Sequence, residues 1–194
     1  MIIVGITGSI GCGKTYLSKI IKKFGFAVYN PDEWVRDMYK KKIFLSLVKD
    51  KFPQCFNEYN VFNKRKLRKI VFDDNKQLKK LESIFHPYIR KKFKKIIKKH
   101  AETADIIFFD VALLFEMNLD IYCDYVVVAD ASDQTQMRRV MERDNISEED
   151  FNKIISVQND KQYTKERADF VINTELSYNQ NKVQLIKFIQ EILQ

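Results

Sequence analysis

The chain has 194 residues, of which 45% are hydrophobic and 31% are charged, and its formal net charge is +8. This length and composition are typical of a soluble globular protein with one sizeable core. No stretch approaches the roughly 20 apolar residues that span a bilayer, so we expect neither a membrane segment nor a targeting segment. The cysteines Cys12, Cys55 and Cys123 lack paired spacing, which favours reduced thiols and a cytoplasmic location. Two histidines and no C-x-x-C pair leave no credible zinc site.

The positive charge is concentrated in one part of the sequence. Residues 40–100 contain 20 Lys and Arg against 5 Asp and Glu, a balance of +15, whereas the remainder has 14 against 21, a balance of −7. Three interpretations stay open for this basic segment: solvated helix faces, a field that attracts a polyanionic ligand, and a surface for nucleic acid.

The first predicted elements form a βαβ unit. Met1–Thr7 is a short apolar run that predicts a buried parallel strand. Lys14–Phe24 has apolar residues at helical spacing and stops before Gly25, and Phe26–Tyr29 predicts a second strand. Strand, helix and strand in about thirty residues are typical of a βαβ unit.

A long helical segment separates these elements from three later strands. Helical spacing recurs over 43–52, 67–72 and 78–97. The three later apolar runs are Ile106–Phe109, Tyr125–Ala129 and Phe170–Ile172. We therefore predict an α/β three-layer sandwich with a five-stranded parallel sheet. Its core would comprise residues 1–32 and 104–194, and an inserted helical segment would comprise 33–103.

A phosphate-binding motif lies between the first strand and the first helix. GSIGCGKT, from Gly8 to Thr15, fits G-x-x-x-x-G-K-[ST] in full. Glycines let consecutive backbone N–H groups turn inward around a phosphate, and the helix adds its positive N-terminal end. In such a loop Lys14 bridges the β- and γ-phosphates, and the hydroxyl of Thr15 ligates Mg²⁺. The motif predicts ATP and Mg²⁺, and the base-reading N/T-K-x-D motif of GTPases is missing.

Two aspartates follow strands and are candidates for the chemistry. A phosphotransferase needs a group that orients or deprotonates the acceptor hydroxyl, and Asp32 follows the second strand. Its alternative role is the N-cap of a helix over Glu33–Tyr39. Asp110 ends the third strand, where a carboxylate near Mg²⁺ is usual, and its alternative role is that of a turn residue.

Arginines cluster on the helix that follows the fourth strand. Arg139 and Arg143 are four residues apart and so share one helix face, which suits the charge of a triphosphate. The alternative is surface pairing with acidic neighbours, namely Glu142, Asp144 and Glu148.

Further short motifs occur in a fixed order along the chain. They are GITGSIGCGKT at 5–15, NPD at 30–32, HPYIR at 86–90, VALLFE at 111–116, QTQMRR at 134–139, MERD at 141–144 and ADFVI at 168–172. In order and spacing they resemble the dephospho-CoA kinase family over essentially the whole chain. The resemblance implies ATP-dependent phosphorylation of the ribose 3′-hydroxyl of dephospho-CoA, the last step of coenzyme A synthesis.

The resemblance also implies roles for individual residues. Asp32, Lys14 and Arg139 would be catalytic, and a lid would lie at about 138–165. ATP would contact Gly8, Gly11, Cys12, Gly13, Lys14, Thr15, Tyr16, Arg139 and Arg143. The substrate would contact Asp32, Arg65, Arg68, His86 and Arg90. Thr15 and Asp110 would hold the metal.

Four positions depart from the family pattern. Asn30 stands where the first Asp of D-A-D is expected, which weakens any metal or substrate role of that side chain. Ala112 replaces the proline of V-P-L-L-F-E, and Cys12 replaces the usual serine of the loop. Thr174-Glu175-Leu176 replaces an N-x-G turn, so the adenine contacts there are not predicted.

Two rival functions stay open at this point. One is another small P-loop kinase that acts on a nucleoside or nucleotide. The other is a nucleic-acid-binding P-loop ATPase whose basic segment stacks bases on aromatic side chains, although no recognition motif is present. The aromatic residues in question are Phe44, Phe52, Phe56, Tyr59 and Phe62. Dephospho-CoA and ATP are the expected partners, without nucleic acid or membrane, and no oligomeric state is predicted.

Overall fold

The computed structural model describes residues 1–156, 158 and 161–194, except for the side chains of residues 72 and 73. Within this part of the chain five strands form one sheet: β1 (Ile2–Thr7), β2 (Ala27–Tyr29), β3 (Ile106–Asp110), β4 (Tyr125–Asp130) and β5 (Phe170–Asn173). They are ordered β2-β3-β1-β4-β5, and every pairing is parallel. The predicted parallel sheet is confirmed, and each strand end lies within one residue of its predicted position.

Nine α-helices lie in the same described residues. They are α1 (Lys14–Lys23), α2 (Pro31–Met38), α3 (Lys42–Lys51), α4 (Lys64–Asp73), α5 (Asn75–His100), α6 (Asp133–Asp144), α7 (Glu148–Ser156), α8 (Lys161–Glu166) and α9 (Tyr178–Ile192). Helices flank the sheet, which confirms the predicted three-layer α/β class. Residues 157, 159 and 160 of the predicted lid lie outside the described residues.

The central strand owes its position to its apolar sequence. β1 pairs with β3 on one side and β4 on the other, and Val4 and Ile6 are completely buried. The apolar stripe of α1 is buried in the same core through Leu17, Ile20 and Ile21. Full burial of each such side chain contributes about 1.5–3 kcal/mol, so the core fixes the two elements that flank the phosphate-binding motif.

Polar residues and the phosphate-binding motif lie at the carboxyl ends of the strands. β1 leads into Gly8, β3 ends at Asp110, β4 ends at Asp130 and β5 ends at Asn173. In open parallel sheets ligands bind at this edge, so the sheet order places the phosphate-binding motif between the ends of β3 and β4.

The chain divides into two compact units. The first comprises 1–30 and 99–194 and contains the sheet, and the second comprises 31–98 and contains α2, α3, α4 and most of α5. The second unit has an aromatic core, in which Tyr39 stacks on Phe62 at a centroid distance of 5.6 Å and Phe44 lies 4.6 Å from Phe85.

The helices of the second unit begin where their sequences favour it. Pro31 is the first residue of α2, a position that proline suits because its missing N–H is not needed there. The side chain of Asn63 accepts a hydrogen bond from the N–H of Lys66 and caps α4. Across the described ranges, no helix is both long enough and apolar enough to cross a membrane.

Candidate active site

The motif GSIGCGKT forms a loop whose shape depends on glycine. Gly11 has φ +76° and Gly13 has φ +95°, in the left-handed region that side chains disfavour. A Cβ at Gly11 would lie 2.6 Å from the carbonyl oxygen of Gln136 in α6, and a Cβ at Gly13 would lie 2.8 Å from Oγ1 of Thr174. Both glycines therefore allow the loop to pack directly against α6 and the end of β5.

The lysine of the motif folds back across its own loop. Nζ of Lys14 donates to the carbonyl oxygen of Gly8 at 2.5 Å and approaches that of Ser9 at 3.5 Å. These partners are neutral, so a phosphate oxygen would bind the ammonium more strongly than they do. Thr15 follows on the first turn of α1 and is exposed, so its hydroxyl is accessible.

Asp110 is buried beside α1. Its carboxylate accepts a hydrogen bond from Oγ of Ser18 at 2.8 Å, and its exposed fraction is 4%. Ser18 lies one turn after Lys14, so α1 carries both the lysine and the partner of this carboxylate. Sequence reasoning missed Ser18, although a polar residue within the buried stripe of α1 signals such a partner.

Arg139 lies over the loop, whereas Arg143 does not share its contacts. Nη1 of Arg139 donates to Oγ1 of Thr174 at 3.0 Å and to the carbonyl oxygen of Gly11 at 3.3 Å, and Nη2 donates to the carbonyl oxygen of Thr174 at 3.1 Å. Arg143 instead makes a two-pronged ion pair with its neighbour Asp144, at 2.8 and 2.6 Å. The hydrogen bond that Arg143 donates to the carboxylate of Asp144 is the main reason that the pKa of Arg143 is raised.

Two glutamines hold the other side of the loop. Oε1 of Gln136, a residue only 1% exposed, accepts from the hydroxyl of Ser9 at 2.7 Å. Oε1 of Gln158 accepts from the backbone N–H of Ile10 at 2.9 Å. Gln136 lies within the QTQMRR motif, but its contact with Ser9 was not predicted, since the residue otherwise resembles any polar position of a helix.

A cleft of about 470 Å³ opens beside this side of the loop. It is lined by Ser9, Asp133, Gln136, Phe151, Asn152, Ile155, Ser156, Gln158 and Lys161. Lys161 attaches α8 to the end of β4, because its Nζ lies 3.3 Å from a carboxylate oxygen of Asp130 and 3.0 Å from one of Asp133. Burial lowers the pKa of Lys161, but the hydrogen bonds and charges of the two aspartates outweigh it and raise that pKa overall.

The predicted substrate residues lie in the second unit. Asp32 is the second residue of α2, so the alternative interpretation of Asp32 as an N-cap is wrong. Arg65 and Arg68 lie exposed on α4, and His86 and Arg90 lie one turn apart on α5. Burial, with a smaller effect of Arg90, lowers the pKa of His86, so this imidazole is neutral at pH 7.

The described residues hold no cluster of three or more His, Cys, Asp or Glu side chains that could cage a metal ion. Thr15 and Asp110 are the oxygen donors that the sequence proposed. Mg²⁺ is commonly held by one or two protein oxygens together with phosphate oxygens and water, so a cage is not required.

The aromatic residues of the basic segment are largely internal. Phe44 is 4% exposed and Phe52 is completely buried, while Phe56 packs against Phe62 at a centroid distance of 5.2 Å. Tyr59, by contrast, is 78% exposed. Phe44 and Phe52 thus belong to the buried core of the second unit, and Phe56 and Phe62 are partly buried against each other, which weakens the case for a base-stacking surface.

A strand–loop–helix phosphate site on a five-stranded parallel sheet defines the class of P-loop kinases. Solved structures agree with this class. The Thermus thermophilus protein TT1252 has 25% sequence identity and a TM-score of 0.87, over 100% of this chain and 98% of that one. Dephospho-CoA kinase from Campylobacter jejuni has 25% identity and a TM-score of 0.69, over 98% of this chain and 96% of that one. Shikimate kinase from Bacteroides thetaiotaomicron, at 15% identity and a TM-score of 0.54 over 99% of this chain and 98% of that one, shares the fold.

Sequence comparison specifies the family within this class. The family model for dephospho-CoA kinase matches residues 2–180. Dephospho-CoA kinase of Bartonella quintana is 34% identical over 194 residues, which cover 100% of this chain and 99% of that protein. The Borreliella burgdorferi enzyme of the same name is 38% identical over 196 positions, which cover 100% of this chain and 93% of that protein. The chain belongs to the dephospho-CoA kinase family, and neither rival function is favoured.

Proposed function

We propose that the chain transfers the γ-phosphoryl group of ATP to the ribose 3′-hydroxyl of dephospho-CoA, which gives coenzyme A and ADP. The observation that carries the proposal is the complete phosphate-binding loop, with Lys14 and Arg139 in contact with it, in a member of the dephospho-CoA kinase family. This reaction is the last step of coenzyme A biosynthesis. The free cysteines of the described residues support a reducing, cytoplasmic setting for it.

The phosphates of ATP bind, in this proposal, to the loop and to cations beside it. The contacting residues are Gly8, Gly11, Cys12, Gly13, Lys14, Thr15, Tyr16, Arg139 and Arg143. Lys14 exchanges its carbonyl partners for oxygens of the β- and γ-phosphates, and Arg139 neutralises charge on the transferring group. Arg143 must leave Asp144 before it can contribute, so it exchanges one anionic partner for another.

Mg²⁺ is the ion that suits this site. The hydroxyl of Thr15 and the carboxylate of Asp110 are hard oxygen donors, which Mg²⁺ prefers and which it supplements with phosphate oxygens and water. When bound, the ion neutralises charge that develops on the phosphate oxygens during transfer.

Asp32 is the proposed general base. A ribose hydroxyl is a poor nucleophile at neutral pH, so a carboxylate that accepts its proton assists the attack. The bond from the 3′-oxygen to the γ-phosphorus forms while the bond from that phosphorus to the β,γ-bridging oxygen breaks. The proton of the hydroxyl passes to Asp32, and ADP leaves with the electrons of the broken bond.

The predicted inserted segment, 33–103, is proposed to bind dephospho-CoA. Its positive charge matches the diphosphate of that substrate, and Arg65 and Arg68 present exposed guanidinium groups on α4. His86, which is neutral at pH 7, can offer hydrogen bonds, and Arg90 adds a charge beside it. The region 138–165 is proposed to act as a lid over ATP.

An assay with alternative acceptors tests the proposal. ADP release with ATP and saturating dephospho-CoA should exceed that with adenosine or AMP by at least about a hundredfold, because of these acceptors only dephospho-CoA carries the diphosphate that the basic segment is proposed to bind. Lys14→Ala should lose most of this activity while the protein stays folded, whereas Lys19→Ala, an exposed lysine on the same helix, should retain it. Equal turnover of AMP and dephospho-CoA would contradict the proposal.

A further inference from the structure

Thr174 occupies a buried junction behind the phosphate-binding loop. It is 4% exposed, and its backbone N–H donates to the carbonyl oxygen of Asp130 at 2.8 Å, which continues the pairing of β4 with β5. Its Oγ1 lies 2.6 Å from the carbonyl oxygen of Cys12 and 3.0 Å from Nη1 of Arg139. The same oxygen also lies 3.1 Å from the carbonyl oxygen of Asp130.

The chemistry of a hydroxyl explains how one atom can serve these neighbours. A hydroxyl has a single hydrogen to donate and lone pairs with which to accept. Arg139 can only donate, so Thr174 accepts from it, and the hydroxyl hydrogen points to the carbonyl oxygen of Cys12, the nearer of the two carbonyls. The hydroxyl thus links the loop, two residues before Lys14, to the guanidinium of Arg139.

Thr174 also supplies most of the acceptors that hold Arg139. Its hydroxyl receives Nη1 and its backbone carbonyl receives Nη2, while Gly11 supplies the remaining, longer contact. Two acceptors from one residue fix the plane of the guanidinium as well as its position. Side-chain atoms of Thr174 further occupy the space next to Gly13, where a Cβ would meet them at 2.8–3.1 Å.

We propose that Thr174 is a positioning residue for phosphoryl transfer, which holds the guanidinium of Arg139 in register with the loop at Cys12 and Gly13. The inference rests on the proposed function, because it takes Arg139 to stabilise the transferring group. Thr174 itself does not touch the reacting atoms in this account. It acts through Arg139, whose long side chain would otherwise sample several rotamers and contribute less to the rate.

A double-mutant cycle tests this dependence. Thr174→Val keeps the shape of the side chain but removes the hydroxyl, and it should lower kcat by about tenfold or more with a smaller change in KM for ATP. Thr174→Ser restores donor and acceptor and should stay within about threefold of wild type. In an Arg139→Ala background the same Thr174→Val change should cost less than about twofold, because the group that Thr174 positions is gone.

Two comparisons separate positioning from loss of stability. Asn181→Ala removes another buried polar side chain, one that donates to the carbonyl oxygen of Leu176 at 2.7 Å on the same β5–α9 connection. It should lower the melting temperature without the loss of kcat. Thr174→Ala, which introduces no buried methyl beside the carbonyls, replaces Thr174→Val in the cycle if the valine variant does not fold.

The outcomes are distinct from those of the proposed function. If dephospho-CoA is not the true acceptor, the wild-type enzyme will turn over a different acceptor. The double-mutant cycle is then carried out with that acceptor, and ADP release is the measured quantity. Independent, multiplicative losses in the double variant would overturn the role of Thr174, as would a Thr174→Ser enzyme as slow as Thr174→Val. A loss of kcat in Asn181→Ala equal to that in Thr174→Val would also overturn it.

Discussion

At the scale of single residues, Asp32 combines a structural and a proposed chemical role. As the second residue of α2, its carboxylate lies in the first turn, where negative charge interacts favourably with the helix dipole. That interaction is worth about 0.3–1 kcal/mol of folding free energy at an exposed helix end. It does not depend on catalysis, so a rate measurement can separate the two roles.

Asp32→Asn should lower kcat by roughly a hundredfold or more, the scale typical of general-base loss, because an amide does not accept a proton at neutral pH. The affinity for ATP should barely change, since the loop from Gly8 to Thr15 binds the phosphates. Steady-state kinetics together with nucleotide titration provide the measurement. A purely helix-stabilising role predicts turnover within a few fold of wild type and a small loss of stability.

Asp37→Asn supplies the matched control for this experiment. Asp37 lies on the same helix, and its side chain is 55% exposed and pairs with Lys40 at 2.8 Å. The hydrogen bond from Lys40 lowers the pKa of Asp37, so this residue is also ionised at neutral pH. Its replacement removes one negative charge from α2 and should leave kcat unchanged. If Asp37→Asn lowered kcat as much as Asp32→Asn does, both losses of kcat would result from the altered charge of the helix and not from loss of a general base.

Contacts between individual side chains were the part of the site that the sequence predicted least well. The motif identified Lys14 because glycine spacing and lysine are both required by phosphate chemistry. Ser18 was missed although its position in the buried stripe of α1 signals a polar partner. Thr174 was missed because a single hydroxyl in a connection carries no pattern of its own and its partner lies far along the chain. Thr174 meets Cys12 across 162 positions of sequence, a separation that only the parallel sheet closes. The family's N-x-G turn, which Thr174-Glu175-Leu176 replaces in this chain, does not predict this contact.

At the scale of elements, Gly13 in the loop and Gly25 after α1 both favour glycine, but for partly different reasons. Gly13 needs both a left-handed backbone and free space, because Thr174 occupies the position of a Cβ. Gly25, at the end of α1, has a similar φ of +92° but open space around it. A side chain at either position would strain the backbone, but only a side chain at Gly13 would also clash with Thr174.

Gly13→Ala should abolish measurable ATP binding and lower the melting temperature, because the loop or Thr174 must move to admit the methyl group. Gly25→Ala should cost only about 1–2 kcal/mol of stability from backbone strain and leave ATP affinity intact. Calorimetric titration with ATP and thermal unfolding of both variants provide the measurement. Normal ATP affinity in a folded Gly13→Ala protein would contradict this account of the loop.

Elements were predicted well where their apolar pattern was strong. The five strands were predicted from short continuous apolar runs and the helices of the second unit from apolar residues at helical spacing, because burial selects apolar residues in both kinds of element. The start of α2 was predicted two residues too late. The interpretation treated Asp32 as a cap, whereas Pro31 already adopts the helix. Such errors occur at element ends, where one or two residues have little periodic signal.

At the scale of the whole molecule, the uneven charge should control the encounter with substrate. If the +15 balance of residues 40–100 attracts the diphosphate of dephospho-CoA, kcat/KM should fall as salt rises from about 0.01 to 0.15 M, as the Debye length shortens from about 30 to 8 Å. The value of kcat should hardly change. If kcat/KM does not change with ionic strength, the basic segment is better interpreted as a set of solvated helix faces.

Single charge removals locate the effect. Arg65→Ala and Arg68→Ala should raise KM for dephospho-CoA more than they lower kcat, since they remove binding rather than chemistry. Lys187→Ala removes one exposed positive charge from α9 in the other unit, where Lys187 pairs with Glu191 at 3.8 Å, and it should leave KM unchanged. Equal KM values in all three variants would exclude a specific role for α4.

The central claim is transfer to one hydroxyl of one acceptor, and the position of the phosphate in the product tests it most directly. The enzyme is incubated with ATP and dephospho-CoA, and the product is analysed by phosphorus NMR beside a reaction with the 3′-deoxy analogue. We predict a single new phosphomonoester on the ribose 3′-oxygen, stoichiometric ADP, and no transfer to the analogue. A phosphate at another position, or equal transfer to the analogue, would contradict the account.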